Sequence, residues 1–168
     1  MTDTISILDI IQKDLQTKQT ENLFFKKHLR GVSSIKVDEH IHRLYNIVAS
    51  EVNCTLCGNC CKKLEPGIET DEIVRLSKFK GMEPNDFKMS YVAYDGDAQY
   101  LKTKPCMFLN GCKCTIYDSR PNACAGYPHL DQPNMKYKRS LWENFSICPI
   151  VYQVIELLKL ELGFSYEK

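Results

Sequence analysis

No stretch of this sequence is apolar enough to cross a bilayer. Its most hydrophobic run, Ile147 to Leu162, is interrupted by Gln153, Glu156, Lys159 and Glu161, which makes it too polar to span one. The first ten residues carry acids early and hold no unbroken apolar core, so no signal peptide is expected. Charge of one sign is also missing. The net charge is +1, which gives no argument for broad attraction to nucleic acid or membrane. No internal repeat, low-complexity tract, glycine-rich phosphate loop, Ser/His/Asp set or paired catalytic carboxylates can be recognised. These absences point to a cytoplasmic protein with no membrane partner, and they leave open whether it is an enzyme.

The residue in excess is cysteine, nine among 168. In a reducing compartment thiols stay reduced or bind metal, and an odd count argues against a closed set of disulfides. The first 53 residues contain none. They read as a helical segment: one stretch over residues 4–30, with Ile7, Leu8, Ile11 and Leu15 on a face, then Leu23-Phe24-Phe25 and Gly31. A second runs over 35–52, with Val37, Ile41, Leu44, Tyr45, Val48 and Val52 at three- and four-residue steps. It leads directly to Cys54.

Residues 54–168 read as a separate cysteine-rich domain with a C-terminal helix. Thr70 is placed to cap a helix over 71–80, with Ile73, Val74, Leu76 and Phe79 as its apolar side. Asp95-Gly96 and Asn110-Gly111 each divide two short apolar runs, 91–94 from 98–102 and 106–109 from 114–117, and predict two hairpins. Residues 118–144 read mostly as loop. Cys148-Pro149 opens the last helix, since proline suits the first helical position. Its buried stripe is Val151, Val154, Leu158 and Leu162, and Gly163 closes it. The predicted fold is therefore small and α+β, with two hairpins, flanking helices and an N-terminal helical segment.

Cys54, Cys57 and Cys60 have two-residue gaps twice in succession, a spacing that lets a tight turn aim sulfurs at one centre. Thiolates favour zinc, copper(I) and iron–sulfur clusters over magnesium or calcium. Cys60 and Cys61 are adjacent, and neighbouring side chains diverge. That favours two centres, and setting one cysteine aside leaves eight, enough for two four-thiolate sites. Cys148 as an N-cap would lie beside unpaired N–H groups and the positive end of the helix dipole, which favours its thiolate. It is expected to join the first cluster. Ferredoxin-like Cys-x-x-Cys-x-x-Cys spacing with a distant Cys-Pro and closed zinc sites fit equally, so the cofactor is Zn²⁺ or an iron–sulfur cluster, in one or two centres.

The blocks Cys54-x-x-Cys57-Gly58-x-Cys60-Cys61, Pro105-Cys106-Met-Phe-Leu109, Cys114-Thr-Ile-Tyr117, Arg120-Pro121-Asn-Ala-Cys124, Tyr127-Pro128 and Cys148-Pro149 resemble, in order, the YkgJ-type cysteine-cluster proteins. These are zinc- or iron-chelating domains whose module also occurs in flagellin lysine N-methylases. The resemblance spans about residues 50–155. It implies a metal-ligand set of Cys54, Cys57, Cys60, Cys61, Cys106, Cys114, Cys124 and Cys148. Cys112 stands outside the pattern as an additional thiol, a spectator or an exchange ligand.

Three functions follow. A structural or regulatory metal-binding protein leads, because no base or cofactor motif accompanies the thiols. An iron–sulfur-dependent enzyme related to protein lysine N-methylases is the alternative. A metal-stabilised nucleic-acid binder is the third, through the basic segment 99–140, where Lys102, Lys104, Lys113, Arg120, Lys136, Lys138 and Arg139 face only Asp118 and Asp131. Compensation of thiolate charge is the plainer reading of that segment. Arg120 is expected to bind a loop carbonyl, a carboxylate or a sulfur, or else to contact substrate. His129 is a lesser ligand candidate, and a protein partner stays open.

Overall fold

The computed structural model describes residues 4–167. The chain runs α1 (Thr4–Thr17), α2 (Gln19–Arg30), α3 (Ser34–Glu51), α4 (Cys54–Cys57), α5 (Asn59–Lys63), α6 (Thr70–Phe79) and α7 (Pro84–Tyr91). Then come β1 (Val92–Asp95), β2 (Ala98–Leu101), β3 (Leu109–Asn110), β4 (Lys113–Cys114), α8 (Asn122–Ala125), α9 (Arg139–Phe145) and α10 (Pro149–Glu161). The two sheets are antiparallel hairpins, β1 with β2 and β3 with β4, so the fold is α+β. It forms two compact units. One consists of Met1–Cys54 and Pro128–Lys168, the other of Thr55–Tyr127.

In the first unit α3 packs on α10, and α1 also meets α10. Val37, Ile41, Leu44 and Val48 of α3 are buried, as are Val151, Val154 and Leu158 of α10. Both stripes therefore lie where their helical periodicity puts them. The stretch over 4–30 is two helices. The backbone leaves helical geometry at Lys18, where ψ is 13°, and there the ammonium meets Asp14 at 2.9 Å and Glu156 at 2.6 Å. The Tyr152 hydroxyl donates to Asp14 at 2.6 Å, and buried Lys159 bridges Glu21 and Glu156, each at 2.6 Å. This chain of charges joins α1, α2 and α10.

Residues 118–144 contain more helix than their sequence suggests. In α9, Leu141 and Phe145 recur four apart and are buried, and Arg139 pairs with Glu143 at 2.6 Å. Seven residues give barely two turns, too few for a periodicity to register. The turn before it is held by Asp38, whose carboxylate accepts the N–H groups of Asn134 at 2.6 Å and Met135 at 2.9 Å.

The second unit has its own core of Ile68, Ile73, Leu76, Phe87, Val92, Leu101, Phe108 and Ile116, with Cys106 and Cys114 packed against it. Helix α7 runs to Tyr91, which the sequence placed in the first hairpin strand, and Pro84 is at its start. In both hairpins the glycine is the first loop residue, because Asp95 pairs with Ala98 and Asn110 with Lys113. The second hairpin is shorter than predicted, with two residues per strand. Its loop is Gly111-Cys112, and Gly111 takes φ +63°.

The ion network makes a pH-dependent prediction. Burial opposes ionisation of Asp14, but the hydrogen bonds from Tyr152 and Lys18 outweigh it and hold the carboxyl below its usual 3.8. A depressed folded value stabilises the fold above the unfolded pKa and loses that contribution as pH falls through the folded one. Wild type should thus be more stable than Asp14→Asn at neutral pH, and the difference should close in acid below the ordinary aspartate range. Urea unfolding across pH measures it. A constant difference would contradict the assignment.

Candidate metal centre

Four cysteines of the second unit, from four separate segments, lie within electrostatic reach of Cys61 or of one another. Cys61 ends the first turn of α5, Cys106 precedes the second hairpin, Cys114 closes β4, and Cys124 sits in α8. Their placement is fixed by backbone. The Cys106 N–H donates to the Cys61 carbonyl at 2.7 Å, the Leu109 N–H to the Cys106 carbonyl at 2.9 Å, and the Thr115 N–H to the Phe108 carbonyl at 2.8 Å. All nine cysteines lie among the described residues, and none is in a disulfide.

The fourth segment is held by a carboxylate. Glu72 is 3% exposed. One of its oxygens accepts the Glu69 N–H at 2.9 Å and the other the Asn122 N–H at 2.7 Å. The first bond completes a reciprocal cap on α6, with Glu69 rather than Thr70 as N-cap. The second fixes the start of α8, the turn that carries Cys124. Sequence reasoning passed over Glu72 because Thr70 is the usual type of cap. The signal was the acid pair three apart, which is the spacing of a capping box.

Burial governs the electrostatics. It raises the Cys106 and Cys114 thiols and pushes Cys124 up to about 12, with the charges of Cys106, Cys61 and Cys114 adding to the effect. Cys61 is held higher still, first by its hydrogen bond with the Cys60 sulfur and then by burial. The opposing positive charge is Arg120, which lowers Cys61, Cys114 and Cys124. Its guanidinium lies 3.7 Å from the Tyr117 ring centroid and donates to the Tyr117 carbonyl at 2.7 Å. Of its expected partners it takes the loop carbonyl, and its charge reaches the sulfurs.

The other cysteines fall into smaller groups. Buried Cys57 is raised by burial against a backbone hydrogen bond from Asn59, and it feels the charge of Cys112. In the first unit, Cys148 is the N-cap of α10 with Pro149 at N1. Burial and then Asp131 raise the Tyr45 phenol, and Cys148 and Cys54 follow as causes, so both sulfurs lie within its electrostatic reach. His129 is also in that unit, with φ 57°. Several cations of the basic segment are engaged. Lys102, Lys104, Arg120, Lys136 and Arg139 each hold a partner within their own unit.

The donor set fits a thiophilic metal. Four half-buried thiols, with only Arg120 and, at Cys106, Lys80 to oppose their charge, resist ionising together, and a metal cation would supply the charge that lets them do so. Among the described residues no three His, Cys, Asp or Glu side chains already stand in metal-holding geometry.

Removing the Glu72 carboxylate tests its role in placing Cys124. Glu72→Ala leaves the N–H groups of Glu69 and Asn122 unpaired, at about 1–3 kcal/mol for each that stays buried. Chemical denaturation should register that loss, and hydrogen exchange should quicken at Asn122. Exchange unchanged at Asn122 would remove Glu72 from this role.

No curated protein and no solved structure matches the chain. A family model does, over residues 53–148, with the description "CxxCxxCC: Putative zinc- or iron-chelating domain". Those residues include every cysteine of the chain and more than half its length. The chain belongs to the CxxCxxCC family.

Proposed function

We propose that this protein binds zinc or iron through its cysteines in a structural or regulatory role, with Cys61, Cys106, Cys114 and Cys124 as one centre. What supports the reading is that Cys124 feels the charges of Cys106, Cys61 and Cys114, each from a different segment of the same unit. Four thiolates complete a structural zinc site and equally ligate an iron–sulfur cluster. Cys54, Cys57, Cys60 and Cys148 are proposed as further ligands on the family's pattern. The protein is proposed to be cytoplasmic, where the thiols stay reduced; among the described residues no helix is long and apolar enough to cross a membrane.

A structural role follows from the thinness of the second unit's architecture. Two-residue strands and four- or five-residue helices carry the thiols, and elements that short have little stability alone. A metal joining four of these segments adds its binding free energy to folding.

Anaerobically purified protein should contain zinc, or iron with sulfide and a broad visible absorption band; protein with neither would end the reading. Verified metal removal should lower the thermal midpoint and abolish exchange protection in β3–β4 and α8 while α3 and α10 keep theirs. Cys106→Ser and Cys124→Ser should each reduce bound metal. An unchanged midpoint after removal would reject the structural role and leave binding intact.

A further inference from the structure

The end of α10 makes a cavity in the first unit that no cysteine lines. Gly163, at φ +62°, turns the chain. Its N–H donates to the Leu160 carbonyl at 3.1 Å, and the Phe164 N–H donates to the Lys159 carbonyl at 2.9 Å. These are the paired bonds of a helix closed by glycine. They send the tail back over α2, where the Phe164 and Phe25 ring centroids are 5.0 Å apart and those of Tyr166 and Phe24 5.5 Å. A cavity of about 260 Å³ results, lined by Glu21, Glu156, Lys159, Leu160, Phe164 and Tyr166. Pockets for drug-sized ligands run from about 300 to 1,000 Å³, so this one has room for a single small molecule.

We propose that this cavity binds a small organic cation, an ammonium group on an apolar or aromatic body. Charge sets the sign of the ligand. Lys159 is 4% exposed and bridges Glu21 and Glu156; the other oxygen of Glu156 holds Lys18, which also meets Asp14. Three carboxylates thus share two ammonium groups, an excess of one negative charge in a partly buried network. A bound monocation neutralises that excess, whereas a bound anion doubles it. A hydrogen-bond acceptor is also present. Among the described residues Glu21 bonds through one oxygen, to Lys159, and its second oxygen has lone pairs for an ammonium N–H. The walls supply the rest. Phe164 and Tyr166 bring aromatic rings, whose faces attract cations, and Leu160 adds apolar surface for the body of the ligand. The proposal concerns the first unit and stands apart from the metal-binding reading of the cysteines.

The test titrates the full chain, isotope-labelled for NMR and as purified, with benzylammonium, benzyl alcohol and benzoate. The three probes share one ring and differ in charge. Benzylammonium should shift the amide resonances of Glu21, Lys159, Leu160 and Phe164 saturably. It should bind roughly tenfold or more tighter than benzyl alcohol, as one charge-assisted hydrogen bond allows, with benzoate the weakest. Tyr166→Ala leaves the ion network whole and removes one ring. It should weaken benzylammonium by roughly 2–30-fold, the span of a single cation–π contact, whereas Tyr166→Phe should keep wild-type affinity. Glu21→Gln should erase the preference for benzylammonium over benzyl alcohol. Equal affinity for those two probes in wild type, a preference for benzoate, or unchanged benzylammonium binding in Tyr166→Ala would overturn the proposal. So would the lack of a saturable shift at these amides with any probe.

Discussion

Glu72 joins two places where the backbone would otherwise have nothing to bond with. Its oxygens divide between the N-terminus of α6 and the N-terminus of α8, fifty residues apart in sequence. Helix starts leave N–H groups without intrahelical partners, and a buried carboxylate answers both at once. The core of the second unit grows from α6, and Cys124 is carried by α8. One side chain therefore couples the apolar packing of the unit to the arrangement of its sulfurs.

The sulfurs impose the opposite requirement. Apolar burial favours neutral thiols, whereas ligation needs thiolates. With Arg120 opposite Cys61, Cys114 and Cys124, the protein offsets only part of that charge. A bound cation would offset more of it. Its thin hairpins and short helical turns fit the same logic, since segments that converge on an ion need little secondary structure of their own.

Much of this was legible in the sequence, for definite reasons. The stripes of α3 and α10 are long enough to show a helical period, and Asp-Gly and Asn-Gly mark their hairpins. The short helices α7 and α9 lack that length, and Glu156, one partner of Lys18 at the break, is far away in sequence. The cysteine blocks announced metal chemistry, but their grouping could not be read from order along the chain. Cys61 adjoins Cys60, yet it shares a neighbourhood with Cys106, Cys114 and Cys124, which only the closed fold reveals. Gly58 reads in the sequence only as part of its cysteine block; the structure shows it making room for the Cys112 carbonyl.

The first unit is assembled from two separated stretches, with Thr55–Tyr127 between them. This has a consequence for the order of events on the ribosome. Val37, Ile41, Leu44 and Val48 find cover only when α10 emerges, after the whole second unit has been made. Because segments fold as they appear, seven of the nine cysteines are in place to meet metal before the helices of the first unit can close. A nascent chain starved of metal would thus expose two unfinished surfaces together, the loose thiol-bearing unit and the uncovered face of α3.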